Sequence, residues 1–425
     1  MLKKHPKGLT VLFFTEMWER FGFYIMSAIY VLYMDRDLKF DDSVKGILYA
    51  VFLGASYLFP LLGGWLGDRI WGRIKTIRIG ASMMALGYVS LTISSIDTLL
   101  FFYLGVALVA IGTGIFKVNM SVTIGNLYKD NIELKDAGFN IYYMGVNIGA
   151  TLGPLAATII GMTTENYNLS FFAAAVGMIL AIIIFQFGKK TIVHTDIMKS
   201  ENGNNITEQY PEMDKKEFWQ RVFTLFVLFI IASLFWLPFY QNGFALTLFA
   251  SRSTRVIEWL RPETYQIFGA LFIVLLTPPL LSIFSLLRKY GKEPRTTSKI
   301  FFGLLIMASS MLVMVWASLA GGNGDVNIMS PMWLISTYFL VTIAEILISP
   351  MGQSYVTKVA PPKIQGLMMG GWFGATALGA MSSGIFGRFY SDVSHHAYFL
   401  LLAGLSVFAA VLVLIFMKKL KRFAS

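Results

Sequence analysis

Twelve apolar runs of bilayer length occupy most of this chain, and a sequence so divided has few folds open to it. A helix needs roughly 20 apolar residues to cross a hydrocarbon core, where its backbone amides must be satisfied internally because water is absent. Runs of that length lie near 10–33, 44–67, 77–95, 98–127, 138–162 and 169–188. Six more follow near 219–248, 264–287, 299–320, 331–356, 365–386 and 396–417. Only 14% of the residues are charged and 56% are hydrophobic, whereas soluble domains carry about 25% charged residues to face water. The chain reads as an all-α membrane protein whose main surroundings are the lipid bilayer.

The 35 Lys and Arg give a net charge of +11, a balance that in a soluble chain would raise the question of nucleic acid. Their placement answers it. With both termini cytoplasmic, the inner segments hold 25 of them. The outer loops hold seven, namely Arg36, Lys39, Lys45, Arg252, Arg255, Arg261 and Arg388. Arg20, Lys117 and Arg221 lie within the apolar runs. This positive-inside bias predicts a multi-pass protein of the cell (inner) membrane with N- and C-termini cytoplasmic, and no nucleic acid is needed to account for the charge. There is no cysteine, and His5, His194, His395 and His396 all fall outside the apolar runs. Thiol chemistry is excluded, and no cofactor, metal centre or intramembrane histidine relay is expected. The opening MLKKHPKGLT leads into an apolar run without a small-residue cleavage site, so it reads as a retained first helix.

The stretch 189–217 is polar, charged and poor in aromatics, and reads as a cytoplasmic linker. It divides the chain into an N-terminal bundle, 1–188, and a C-terminal bundle, 218–425, each of six helices. Twelve transmembrane helices in two six-helix halves are the arrangement of the major facilitator fold, which places a substrate site between the halves near the midplane. The second run ends in Gly64-Trp-Leu-Gly67-Asp68-Arg69-Ile-Trp-Gly72-Arg73. This resembles the G-x-x-x-D-R-x-x-G-R loop of the major facilitators. Glycines let the backbone turn tightly there, and Asp68 is placed to accept from arginines or a helix N-terminus.

The first run contains Glu16-Met-Trp-Glu19-Arg20-Phe21-Gly22-Phe23-Tyr24. Each ionisable group at the centre of an apolar helix costs roughly 2.5–3.5 kcal/mol on insertion scales. Glu16 and Arg20 stand four residues apart and are expected to pair. Glu19, on an adjoining face, is left without a partner in its own helix, and this favours a proton carrier over a self-neutralising structural pair.

These residues carry a resemblance to the proton-dependent oligopeptide transporters. The family's E-x-x-E-R-F-x-Y-Y is present in the first run, with Phe23 for the first tyrosine. The fourth run carries Gly112-Thr-Gly114-Ile-Phe-Lys117-Val118-Asn119, similar to G-x-G-x-x-K-P-N with valine for proline. The fifth carries Phe139-Asn-Ile-Tyr142-Tyr143-Met144-Gly145-Val146-Asn147-Ile148-Gly149-Ala150, close to F-Y-x-x-I-N-x-G-A. The tenth carries Glu345-Ile-Leu-Ile-Ser349-Pro350-Met-Gly352, followed by Ala360-Pro361, and the eleventh carries Met368-Met369-Gly370-Gly371-Trp372-Phe373. The matches lie in both halves, in order.

The resemblance implies proton-coupled uptake of di- and tripeptides by alternating access, through a protein functional as a monomer. It assigns Arg20 and Lys117 to the peptide carboxylate, and intramembrane Glu345 is a counter-charge for the amino terminus. Asn147 offers amide donors and an acceptor to a peptide bond. Tyr24, Tyr57, Trp236, Tyr240 and Trp372 are read as substrate-binding aromatics, although core or lipid-facing packing is an equally good account of any single one. Glu16, Glu19 and Glu345 are the candidate proton carriers. Lys117 with Glu345, and Ser27 with Tyr240, are the candidate gating pairs.

The chain departs from the family at instructive places. Tyr240 stands where the family usually has a glutamate in its seventh helix, and Ser27 where it has the facing arginine, so an outer charge pair is absent as a pair. Gly269 replaces an asparagine of the eighth helix. Many bacterial members carry two further helices between the halves, and the 29-residue linker is too polar for those. The rival readings are a carrier of another small amphoteric solute, a facilitator without proton coupling and, from another class, a polytopic membrane enzyme. The last lacks a cysteine, an intramembrane histidine or a metal-spaced carboxylate cluster to do chemistry with.

Overall fold

The structure, a computed structural model, describes residues 5–129, 132–196 and 213–422. Among them are twelve long α-helices and one short one, with no β-strand beyond two isolated bridges. In chain order these are α1 Gly8–Arg36, α2 Asp42–Arg69, α3 Arg73–Thr92, α4 Leu99–Leu127, α5 Lys135–Thr164 and α6 Tyr167–Gly188. Then follow α7 Lys215–Phe239, the short α8 Ala245–Arg252, α9 Gln266–Lys289, α10 Thr296–Ala320, α11 Pro331–Val359, α12 Gln365–Gly387 and α13 His395–Arg422. Nine of the spans are long and apolar enough by composition alone to cross a membrane. The remaining three long helices are α1, α3 and α12. In α1 and α3 charged residues lower the hydropathy, and in α12 small ones do. Exposed Leu61, Leu100, Phe187 and Ile415 carry the apolar character to the helix surfaces, where only lipid can cover it.

The seventh apolar run was expected to be one helix over 219–248. It is two. Its helix stops just after Pro238, the chain makes a 3-10 turn over Tyr240–Gly243, and α8 then begins. Asn242-Gly243 is a pair that ends helices readily. Tyr240 therefore sits on a turn and not on a continuous helix. The eighth to twelfth apolar runs correspond to α9 to α13.

The chain divides into two compact units, Met1–Phe40 with Phe52–Ile206, and Asp41–Val51 with Thr207–Ser425. The first turns of α2 thus group with the second unit. Within the first unit α3 packs on α4, and α1 packs on α5 and α6. Within the second, α10 packs on α11 and α13, α7 on α12, and α9 on α11.

The linker reading over 189–217 falls partly outside the described residues, at 197–212. Its first part is folded onto the first unit. Lys189–Thr191 and Val193–Thr195 form 3-10 turns, Ile192 is fully buried, and Asn126 Nδ2 at the end of α4 donates to the Thr195 carbonyl at 3.0 Å. The Asp196 carboxylate then accepts from the Arg73 and Ile74 amides at 2.5 and 3.4 Å, satisfying two of the open N–H groups at the start of α3. Gly72, at φ +74°, makes room for it, since a Cβ there would lie 2.9 Å from the Asp196 carboxylate. Asp68 accepts from Arg73 Nη1 at 2.7 Å in the same loop.

Candidate functional site

In the first unit the site is built where α1 lies against α5. Gly145, Gly149 and Gly153 form a one-turn ladder on α5, a small-residue ridge that lets two membrane helices approach closely. A Cβ on Gly149 would press into the Met17 carbonyl and lie 2.8 Å from Arg20 Cβ, so the glycines of the fifth-run motif fix the position of Arg20. Tyr142, one turn earlier on α5, directs its hydroxyl at Glu16.

The Glu16–Arg20 pair expected from the spacing is present, but Glu19, read as partnerless in its own helix, is held by Arg20 as well. Arg20 binds Glu19, the residue beside it in the chain, through both Nε and Nη2, the second contact being 2.8 Å. Glu16 lies 3.3 Å from Arg20 Nε, and its Oε2 is buried without a hydrogen-bond partner. Glu19 is thus the better-held carboxylate, and Glu16 is the one with an open oxygen. The reason is geometric. A guanidinium is a planar fork that satisfies one carboxylate with two parallel bonds, and its residual charge reaches the second at longer range. All three side chains are buried. The Arg20 guanidinium also stands 5.1 Å from the Phe23 ring centroid, so the phenylalanine that replaces the family's tyrosine still presents a π face to it.

Lys117 on α4 is exposed, and its ammonium stands 5.7 Å from the Tyr57 ring centroid on α2. It lies within electrostatic reach of Arg20, Glu16 and Glu19. Asn119, two residues on, donates to the Gly63 and Ile115 carbonyls at 2.8 and 2.9 Å. The asparagine of that motif ties α4 to α2 and places Lys117 and Tyr57 on facing helices. Asn147 donates from Nδ2 to the Tyr143 carbonyl of its own helix at 2.9 Å, which takes up part of its donor capacity and leaves its acceptor. Tyr24, half-buried, packs edge-on against Phe23 at 5.7 Å, and Ser27 lies one turn further along α1.

In the second unit Glu345 is half-buried midway along α11 and makes no hydrogen bond or ion pair among that unit's described residues. Trp372 on α12 is buried and lies against Gly352 of α11, where any side chain would displace its ring. Trp236 on α7 packs on Gly379 of α12, and its Nε1 is buried without a partner. Its ring is 5.7 Å from that of Tyr240, whose backbone carbonyl accepts from the Tyr49 hydroxyl at 2.8 Å. A Cβ on Gly269 would meet nothing within 4 Å. The sequence reading did not single out Tyr142, although it lies inside the quoted motif, nor Asp196. Among the described residues no group of three His, Cys, Asp or Glu side chains converges as a metal site.

A family model described as the POT family matches residues 74–211 and 194–402. The chain belongs to the POT family. This member is 30% identical to the uncharacterised transporter YclF of Bacillus subtilis (strain 168), over 90% of the chain and 89% of the relative. It is also 30% identical to a di-/tripeptide transporter of Lactococcus lactis subsp. cremoris, over 87% of the chain and 86% of that protein. A crystal structure of a peptide transporter POT, a single-substitution variant, superposes with a TM-score of 0.88 at 28% identity. The match covers 99% of the chain and 96% of that structure. The twelve-helix POT arrangement expected from the motifs is therefore the fold of this protein.

Proposed function

We propose that this POT family member is a secondary active transporter that imports di- and tripeptides together with protons by alternating access. The observation that carries the reading is the α1–α4 cluster, with two cations, Arg20 and Lys117, and two buried carboxylates, Glu16 and Glu19, in one apolar unit. A zwitterionic peptide needs a cationic end and an anionic end. Arg20 and Lys117 take the carboxylate, Glu345 of the second unit takes the amine, Asn147 receives a peptide N–H, and Tyr24, Tyr57, Trp236, Tyr240 and Trp372 line the side-chain space. Protons enter through Glu19, Glu16 or Glu345. Lys117 with Glu345 and Ser27 with Tyr240 serve as gates. The protein works as a monomer in the inner membrane with both termini cytoplasmic, as the Lys and Arg distribution supports.

Reconstitution into liposomes with a panel of peptides and imposed pH or voltage gradients tests this. Inward accumulation of di- and tripeptides driven by an acid exterior is the expected result. A specific observation favours one second reading. Ser27 and Tyr240 occupy the places of the family's outer charge pair, and a carrier without coupling would show peptide exchange that no gradient drives.

A further inference from the structure

Where α7 begins and α11 ends, the second unit carries a cavity of about 300 Å³ lined by Lys215, Phe218, Trp219, Pro361, Pro362 and Lys363. Both lysines are exposed, and neither makes an ion pair among the described residues. The acid nearest them in sequence on α7, Glu217, is engaged by Arg221 at 2.7 Å, and Arg221 also donates to the Val359 carbonyl at 3.2 Å. Asp214, the other nearby acid, precedes α7 and does not line the cavity. Residues 213–221 and 358–363 together hold five cations against two acids. Among the described residues the cavity therefore carries a positive charge that neighbouring acids do not cancel.

The remaining walls are apolar. Phe218 and Trp219 meet edge to face, with centroids 5.6 Å apart, and Trp219 is 66% exposed. Pro361 and Pro362 offer no N–H to a ligand. The cavity thus combines two lysines with aromatic and pyrrolidine surface in one lining. It sits at the ends of two helices long and apolar enough to span a membrane, the depth at which lipid headgroups lie and at which tryptophan is favoured. A soluble anion would satisfy the lysines and leave the apolar wall wet. An amphiphile with an anionic head satisfies both.

We propose that this cavity binds the phosphate headgroup of an anionic phospholipid, with Lys215 and Lys363 on the phosphate and Trp219 and Phe218 against the glycerol and first acyl carbons. Basic pockets at helix ends hold such headgroups through local charge, and each lysine near an anionic surface strengthens binding several-fold.

The test is native mass spectrometry of the full-length protein in detergent, titrated with phosphatidylglycerol or phosphatidylcholine of the same acyl chains. The parent should retain phosphatidylglycerol and lose phosphatidylcholine. The Lys215→Gln/Lys363→Gln variant should bind phosphatidylglycerol roughly thirtyfold more weakly. The Lys216→Gln/Lys358→Gln variant, which removes two charges outside the lining, should weaken binding far less than the Lys215→Gln/Lys363→Gln variant, which separates the lining from charge alone. Inorganic phosphate should fail to displace the lipid. Its displacement at the concentration of the lipid would assign the cavity to a free anion and overturn the proposal. Equal retention of phosphatidylglycerol by the double variant and the parent, with both eluting as folded protein, would overturn it as well.

Discussion

Arg20 holds the carboxylate of Glu19, its immediate chain neighbour, with two nitrogens, while Glu16, one helical turn earlier, receives only the longer 3.3 Å contact. Adjacent residues on a helix point about 100° apart, so this bond draws both side chains out of their radial directions toward one place. A proton added to Glu19 weakens the bidentate pair and leaves the guanidinium for Glu16 or for a peptide carboxylate. If Glu19 is the proton carrier proposed above, coupling is an exchange of partners at Arg20, and the variants below test it.

Glu19→Gln follows from that exchange. The amide mimics the protonated acid, so the variant should lose accumulation driven by a pH gradient, by tenfold or more, while exchanging peptide down its own gradient as before. Counterflow and gradient-driven uptake of one labelled dipeptide, measured in the same liposomes, separate the two. Accumulation equal to the parent's would sink the role of Glu19.

Lys117→Ala and Glu345→Gln should each reduce uptake of a zwitterionic dipeptide by at least tenfold, since truncating one partner of a charged contact that bound peptide closes off from water typically costs a few kcal/mol. A terminally blocked dipeptide should compete poorly with the parent's substrate. Full uptake by both variants at normal expression would remove Lys117 and Glu345 from the substrate site.

Asp42 is the shared acceptor of Arg252 at 3.0 Å, Lys45 at 2.5 Å and the Ser391 hydroxyl, and it joins the start of α2 to the rest of the second unit. Asp42→Ala removes the carboxylate that Lys45 and Arg252 share, at a cost of roughly 1–3 kcal/mol. A thermal midpoint several degrees below the parent's is expected in detergent. Ser391→Ala should shift it less, because the ion pairs survive. Intrinsic fluorescence during heating reads both.

Asp196→Ala uncovers the α3 N-terminus and should cost about 0.5–2 kcal/mol, the usual value of a lost N-terminal acceptor. Gly72→Ala should cost a similar amount through its positive φ and its crowding of the same carboxylate. The double variant should fall short of the sum, since both changes disturb one contact. Additive losses of thermal midpoint would show that the two act separately.

Glu293, in the loop between α9 and α10, has its pKa pushed down to about 2 by the hydrogen bond from Arg288, with Lys299 adding to it. A carboxylate whose folded value is depressed contributes stability that is fully present above its unfolded value and lost only as pH falls through the folded one. The contribution is therefore constant across the range of transport assays, and modest because Glu293 is partly exposed and its Arg288 partner stands in solvent. Glu293→Gln should give the parent's pH profile of uptake between pH 5 and 8. A displaced profile would mean that this loop takes part in coupling.

Composition and run length alone fixed the membrane class and all twelve long helices, because satisfying a backbone in hydrocarbon leaves only a long helix for each apolar run. The motif residues were legible too, as glycines, charges and prolines are scarce in such runs for strong energetic reasons. Three things were decided by tertiary structure. Spacing by four correctly paired Arg20 with Glu16, but that Arg20 also grips Glu19, and more closely, depended on side-chain geometry. The break after Pro238 and the placement of Tyr240 on a turn depended on how the Tyr240–Gly243 segment packs, with the Tyr49 hydroxyl donating to the Tyr240 carbonyl and the Gln241 side chain donating to the Ser383 carbonyl. The polar stretch after α6 looked like free linker, yet Ile192, Thr195 and Asp196 find their partners on α1, α4 and α3. Each of these is a contact between residues 20 to 200 positions apart or a choice between two near-equal local partners, and no local pattern records either.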